Sequence, residues 1–145
     1  MQTVEREALV PYPAEAMFEL VRDVARYPEF LSWCTATEVL EEWDDGMRGR
    51  IHLQVAGIRQ HFTTRNTHVP GREILIELED GPFTSLSGSW TFTPLGDLGS
   101  KVALQLRFAF SSGLVNLAFS KGFAGIADRM VNDFVRRAEA VHGDH

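Results

Sequence analysis

Five histidines, one cysteine and two acidic runs are the places where this 145-residue chain could do acid–base, nucleophilic or metal chemistry. A zinc site needs three or four N/S/O ligands brought together at short, recognisable spacings. His52, His61, His68, His142 and His145 show no His-x-x-x-His pair, and the last two sit in a tail expected to fray. Cys34 follows Trp33 with no activating base in its vicinity, so it reads as an inert thiol. Being alone, it also precludes an internal disulfide. Glu41, Glu42, Asp44 and Asp45 read as a solvated turn, and Glu77, Glu79 and Asp80 as an outer strand face leading into Gly81-Pro82. There is no GxSxG elbow, phosphate loop or GxGxxG motif. No catalytic residue, no metal and no required cofactor are expected. The one polar pair with binding potential is Arg65-Asn66. Adjacent strand residues point to opposite faces, so only one of the two can enter an interior. An inward Arg65 would need a carboxylate partner.

The elements that must carry these residues follow from periodicity. Thr3 to Val10 reads as a strand closed by Pro11 and Pro13, and Ala14 to Val24 as a helix with Met17, Phe18, Leu20, Val21 and Val24 on one face. A second short helix, Ala25 to Leu31, is interrupted at Pro28. Segments 36–44, 47–56, 60–69, 73–80, 86–94 and 101–111 read as six strands, separated by Gly, Pro and Asp turns. Met47, Gly49, Ile51, Leu53 and Val55 share one face of their strand; Val102, Leu104, Leu106, Phe108 and Phe110 do the same on theirs. From Gly113 to about His142 the pattern becomes one long helix of roughly 43 Å. Leu114, Leu117, Phe123, Ile126, Met130, Phe134 and Val141 lie near its apolar stripe, and Gly122 and Gly125 interrupt it.

This order implies an α+β helix-grip fold over 1–145 as a single domain. A six- to seven-stranded curved antiparallel sheet, with two short helices after the first strand, wraps a long C-terminal helix. A sheet bent around a helix encloses space unless large side chains fill it. The candidates to line that space are Phe18, Tyr27, Phe30, Leu31, Trp33, Leu53, Val55, Phe62, Asn66, Trp90, Leu104, Phe108, Leu117, Phe123, Ile126, Met130 and Phe134. Charge bears on partners. Fourteen Lys and Arg against 20 Asp and Glu leave a formal net charge of -6, which disfavours general polyanion binding and argues against DNA. Arg48, Arg50, Arg59, Arg65 and Arg72 nevertheless crowd the central strands, and Lys121, Arg129, Arg136 and Arg137 the helix.

Several local motifs then carry a resemblance: Ala8-Leu9-Val10-Pro11-Tyr12, Tyr27-Pro28-Glu29-Phe30-Leu31, Phe62-Thr63-Thr64-Arg65-Asn66, Asp80-Gly81-Pro82-Phe83, Trp90-Thr91-Phe92-Thr93-Pro94-Leu95 and Leu117-Ala118-Phe119. In that order they resemble the START-like, helix-grip superfamily, which includes polyketide cyclase-like proteins. Within it they are most similar to the family of bacterial ribosome association toxins and mitochondrial coenzyme Q-binding proteins. The resemblance implies two functions. One is binding of a ubiquinone-type prenylquinone in the cavity, as a carrier or chaperone supporting respiration, with an inward Asn66 donating to a quinone carbonyl. Burial of an isoprenoid tail, at about 25 cal/mol per Å², favours this reading. The alternative is a toxin that blocks association of ribosomal subunits and inhibits translation initiation, with Arg129, Arg136 and Arg137 as contacts. With no apolar leader, the chain is expected in the cytoplasm. An aromatic rim at Tyr27, Phe30, Leu31 and Trp33 beside Phe83 suits transient contact with the inner membrane.

Overall fold

The computed structural model describes residues 2–111 and 117–143. Strand β1 spans Gln2–Val10 and is followed by helix α1, Ala14–Arg22. Pro13 stands extended at the head of α1, and its carbonyl accepts from the N–H groups of Ala16 and Met17. The second short helix is a 3₁₀ segment, Val24–Glu29, that runs through Pro28. The tighter winding is how the chain accommodates that proline. Six strands follow: β2 (Cys34–Trp43), β3 (Gly46–Val55), β4 (Ile58–Val69), β5 (Glu73–Asp80), β6 (Phe83–Pro94) and β7 (Ser100–Phe110). Helix α2, Leu117–His142, completes the chain; Gly113 and Leu114, read from the sequence as its start, lie outside the described residues.

All seven strands form one antiparallel sheet in the order β1-β7-β6-β5-β4-β3-β2. Hairpins join β2 through β7, and only the pairing of β1 with β7 spans distant sequence. The β3–β4 hairpin turns on Ala56 (φ 52°) and Gly57 (φ 76°), the positive dihedrals that a two-residue loop needs to match strand twist. Strand pairing extends two to three residues beyond the periodic segments at β4 and β6, because Ile58 pairs with Val55 and Phe83 with Phe110.

Helix α2 lies along the concave face. Phe119, Phe123, Ile126, Ala127, Val131, Phe134 and Ala138 are its buried residues. Relative to Phe123, Leu117 is rotated by about 120° at 3.6 residues per turn. It is therefore 68% exposed and lines no cavity, contrary to the apolar-stripe reading. Val141 keeps the right rotation yet is exposed in the last turn of the helix. Gly122 is explained by close approach: a Cβ there would collide with Val55 Cγ1 on β3. Gly125 is on another side, with the Arg129 guanidinium 3.2 Å from where its Cβ would stand.

Candidate functional site

Between sheet and helix the concave face is built in rows that run across the strands. One row joins Val4, Leu106, Gly88, Ile76, Asn66 and Met47; the next joins Leu104, Trp90, Ile74 and His68. These rows roof an apolar cavity of about 80 Å³. Its lower wall is α2, through Phe123, Met130 and Phe134, and Val24, Tyr27 and Trp33 line one end. Aromatic edges pack that end: Phe134 meets Tyr27, Phe30 and Trp90 at ring centroid distances of 5.5, 5.2 and 5.2 Å. The Tyr27 hydroxyl donates to the Val21 carbonyl at 2.5 Å, tying the 3₁₀ segment to α1. Burial pushes that phenol well above its ordinary range.

Of the lining candidates, Tyr27, Trp33, Phe62, Asn66, Trp90, Leu104, Phe123, Met130 and Phe134 surround the cavity. Phe18, Phe30, Leu31, Leu53, Val55, Phe108, Leu117 and Ile126 do not. Phe18 packs edge-on against His68 and Phe92. Phe30 lies outside Phe134, under the Arg137 guanidinium. Leu31, Leu53, Val55, Phe108 and Ile126 are solid core. Val24, Ile51, Thr64, Ile76, Leu86 and Leu106 also line the space and were missed. Ile51 shares its strand face with Leu53, and Leu106 lies between Leu104 and Phe108. Alternation found the face, and only sheet curvature selects which stretch of it roofs the void.

Two polar features mark this interior. Asn66 points inward and accepts from the Thr64 hydroxyl at 3.0 Å, whereas Arg65 turns outward onto the Trp43 ring at 4.5 Å. The indole Nε1 of Trp33 is buried without a hydrogen-bond partner, in a residue only 9% exposed. A buried donor left unpaired costs about 1–3 kcal/mol. Cys34 next to it is inert at neutral pH, because burial pushes its thiol up to about 11. Among the described residues no group of three or more His, Cys, Asp or Glu side chains gathers to hold a metal ion.

The surface charges fall into two sets. On the convex side Arg48 bridges Glu41 and Glu79 at 2.6 and 2.7 Å, and Arg50 meets Glu38 at 3.1 Å. Arg6, Arg22, Arg26 and Lys101 also meet carboxylates. On α2 the three expected contact residues separate. Arg137 is turned toward the 3₁₀ segment, bonds Glu29 at 2.8 Å and covers Phe30, so it is a packing residue and not a free surface cation. Arg129 and Arg136 are exposed.

A long helix held in a bent antiparallel sheet around an apolar hollow defines a START-like, helix-grip protein. The fold is shared with the Zhui aromatase/cyclase of Streptomyces sp. R1128, with a TM-score of 0.82 at 23% identity over 95% of this chain and 93% of that one. The family model described as polyketide cyclase/dehydrase and lipid transport matches residues 10–135, and the chain belongs to that family. It is 49% identical over 144 residues to a ribosome association toxin of Vibrio cholerae, covering 99% of this chain and 100% of that one. It is 26% identical over 142 residues to the mitochondrial coenzyme Q-binding protein of Drosophila melanogaster, covering 95% of this chain and 59% of that protein. No helix among the described residues is long and apolar enough to cross a membrane.

Proposed function

We propose that this protein acts on the ribosome, binding one subunit and opposing its association with the other, and so restrains translation initiation. The observation that carries the reading is identity of 49%, spread end to end, with a protein named as a ribosome association toxin. Identity to the coenzyme Q-binding protein is only 26%. The interior supports the same ordering. Pockets for drug-sized ligands run from about 300 to 1,000 Å³. At about 80 Å³ the present hollow is too small for a quinone with an isoprenoid tail unless its walls move apart. The sequence-based preference for a quinone carrier therefore yields to its alternative. The action needs no catalysis: the Cys34 thiol stays protonated, and likeness to an aromatase/cyclase at 23% identity bears on fold alone. A ribosomal partner places the protein in the compartment that holds ribosomes.

The test is sucrose-gradient sedimentation of purified subunits under conditions that favour association. Added protein is expected to deplete the joined particle and to sediment with one subunit. An unchanged joined peak, with protein left at the top of the gradient, overturns the reading.

A second reading rests on a separate observation, the unpartnered Trp33 N–H at the cavity wall. An apolar ligand with a carbonyl acceptor, such as a ubiquinone-type head group, would satisfy it, with Asn66 as a second polar contact. Binding of this kind would make the cavity regulatory or a carrier site.

A further inference from the structure

The solvent side of α2 carries a cationic stripe that the fold does not use. At 3.6 residues per turn, Lys121, Gly125, Arg129, Asn132 and Arg136 fall within about 80° of helix arc, opposite the buried meridian through Phe123 and Phe134. The cations are spaced about 12 and 10.5 Å along the axis. Lys121 and Arg129 have no ion pair among the described residues. Arg136, whose side chain is 72% exposed, reaches Asp133 only at 3.7 Å. Of the acidic neighbours, Glu139 stands exposed at the C-terminal end of the stripe, in line with Lys121, and bounds it there; the other two are weak competitors. Asp128 is held by Arg6, and Asp133 is only 22% exposed, with a carboxyl that burial pushes up against the pull of Arg136 and Arg129. Gly125 puts no side chain at the centre of the stripe, and the Arg129 guanidinium lies over it, 3.2 Å from where a Cβ would stand. A glycine inside a helix costs about 1 kcal/mol relative to alanine. On the convex sheet face Arg48 and Arg50 are neutralised by Glu38, Glu41 and Glu79, whereas Arg59, Arg65 and Arg107 carry no ion pair among the described residues and supply the comparison surface.

We propose that this stripe is a docking surface for the sugar–phosphate backbone of RNA, with Lys121, Arg129 and Arg136 each taking a phosphate. The inference rests on the ribosomal reading above and names the contact within it. In a chain of net charge -6, attraction to a polyanion must be local, and these three cations supply it along one side of one helix. Each phosphate contact contributes about -0.7 to -0.9 to the slope of log affinity against log salt concentration.

The experiment compares sedimentation with purified ribosomal subunits across a potassium chloride series. It uses the wild type, the triple variant Lys121→Glu/Arg129→Glu/Arg136→Glu, its glutamine counterpart and a sheet-face control, Arg59→Glu/Arg65→Glu/Arg107→Glu. Circular dichroism verifies folding of each. The helix variants are expected to bind at least tenfold more weakly, with the glutamine set flattening the salt slope by about 2 to 3 units. The control is expected to stay within twofold, and protein-free ribosomal RNA to compete with subunits for the wild type. Helix variants that bind like the wild type overturn the stripe while leaving the ribosomal reading intact. Competition by ribosomal proteins but not by RNA overturns the choice of partner. A wild type that binds neither subunit overturns the ribosomal reading, and this proposal with it.

Discussion

His68 shows how a single residue can be read for its pH behaviour. Among the described residues it is the one histidine on the concave face of the sheet, its ring edge-on to Phe18 at 5.9 Å, with a buried Nε2 that has no partner. Burial, reinforced by Arg22 and opposed by Glu19, Asp45 and Glu42, pulls its pKa below the ordinary value. A base whose folded pKa is depressed favours the folded state fully above its unfolded pKa near 6.5, and that contribution fades as pH falls through the folded value. The urea midpoint is therefore expected to fall between pH 7 and pH 5. In His68→Phe, which puts an aromatic ring that cannot titrate in the same place, the midpoint should fall less between pH 7 and pH 5 than in the wild type. An equal fall in both proteins would mean that His68 does not govern acid sensitivity. Legibility at this scale tracks regularity. Strand alternation correctly limited the interior to one of Arg65 and Asn66. The orphaned indole of Trp33 had no such signal, because Trp33 sits between the 3₁₀ segment and β2, where neither period applies.

At the scale of elements, Gly122 is where α2 meets β3 most closely. Replacing it by alanine gains about 1 kcal/mol of helix propensity. The new methyl must displace Val55, which is only 6% exposed, and overpacking of this kind costs about 1–3 kcal/mol. Gly122→Ala is thus expected to lower stability in chemical denaturation. Combined with Val55→Ala, it should lose less than the sum of the two single variants, since the second change makes room for the first. Strict additivity would show that the two positions do not touch. The same helix explains what its sequence disclosed and what it concealed. A 3.6-residue period located the buried meridian from Phe123 to Phe134, and on that count Arg137, three residues after Phe134, already belongs to the inner side. Its charge was what disguised it as surface. Leu117 erred in the opposite direction, an apolar residue on a wet face. In the strands, Leu53 and Val55 share a face with Ile51, yet only Ile51 reaches the hollow. Period two fixes sides, and curvature fixes position along them.

For the whole molecule, the decisive quantity is the volume left when the sheet has closed on α2. A dry engineered cavity of about 150 Å³ accepts benzene, so about 80 Å³ admits no substituted ring in the closed state. A ligand of that size must first widen the hollow, and one wall that would have to give is the Val24–Glu29 segment, where Tyr27 is held by Val21 and Glu29 by Arg137. Its apparent dissociation constant is then raised by the inverse of the open fraction. Opening also parts the aromatic edges around Phe134, and the ligand must restore those contacts with its own surface. A carbonyl offered to the Trp33 N–H is what would set such a ligand apart from any apolar filler. A ubiquinone with a single isoprene unit provides the probe. If it occupies the site at 100 times its dissociation constant, it stabilises the fold by about 2.7 kcal/mol, or roughly 5–10 °C in Tm for a chain of this length. Trp33→Phe should retain the fold and lose most of that shift. No shift at saturating quinone, or the same shift in both proteins, would remove the quinone reading and leave the closed interior as packing that holds α2 rigid beneath the sheet.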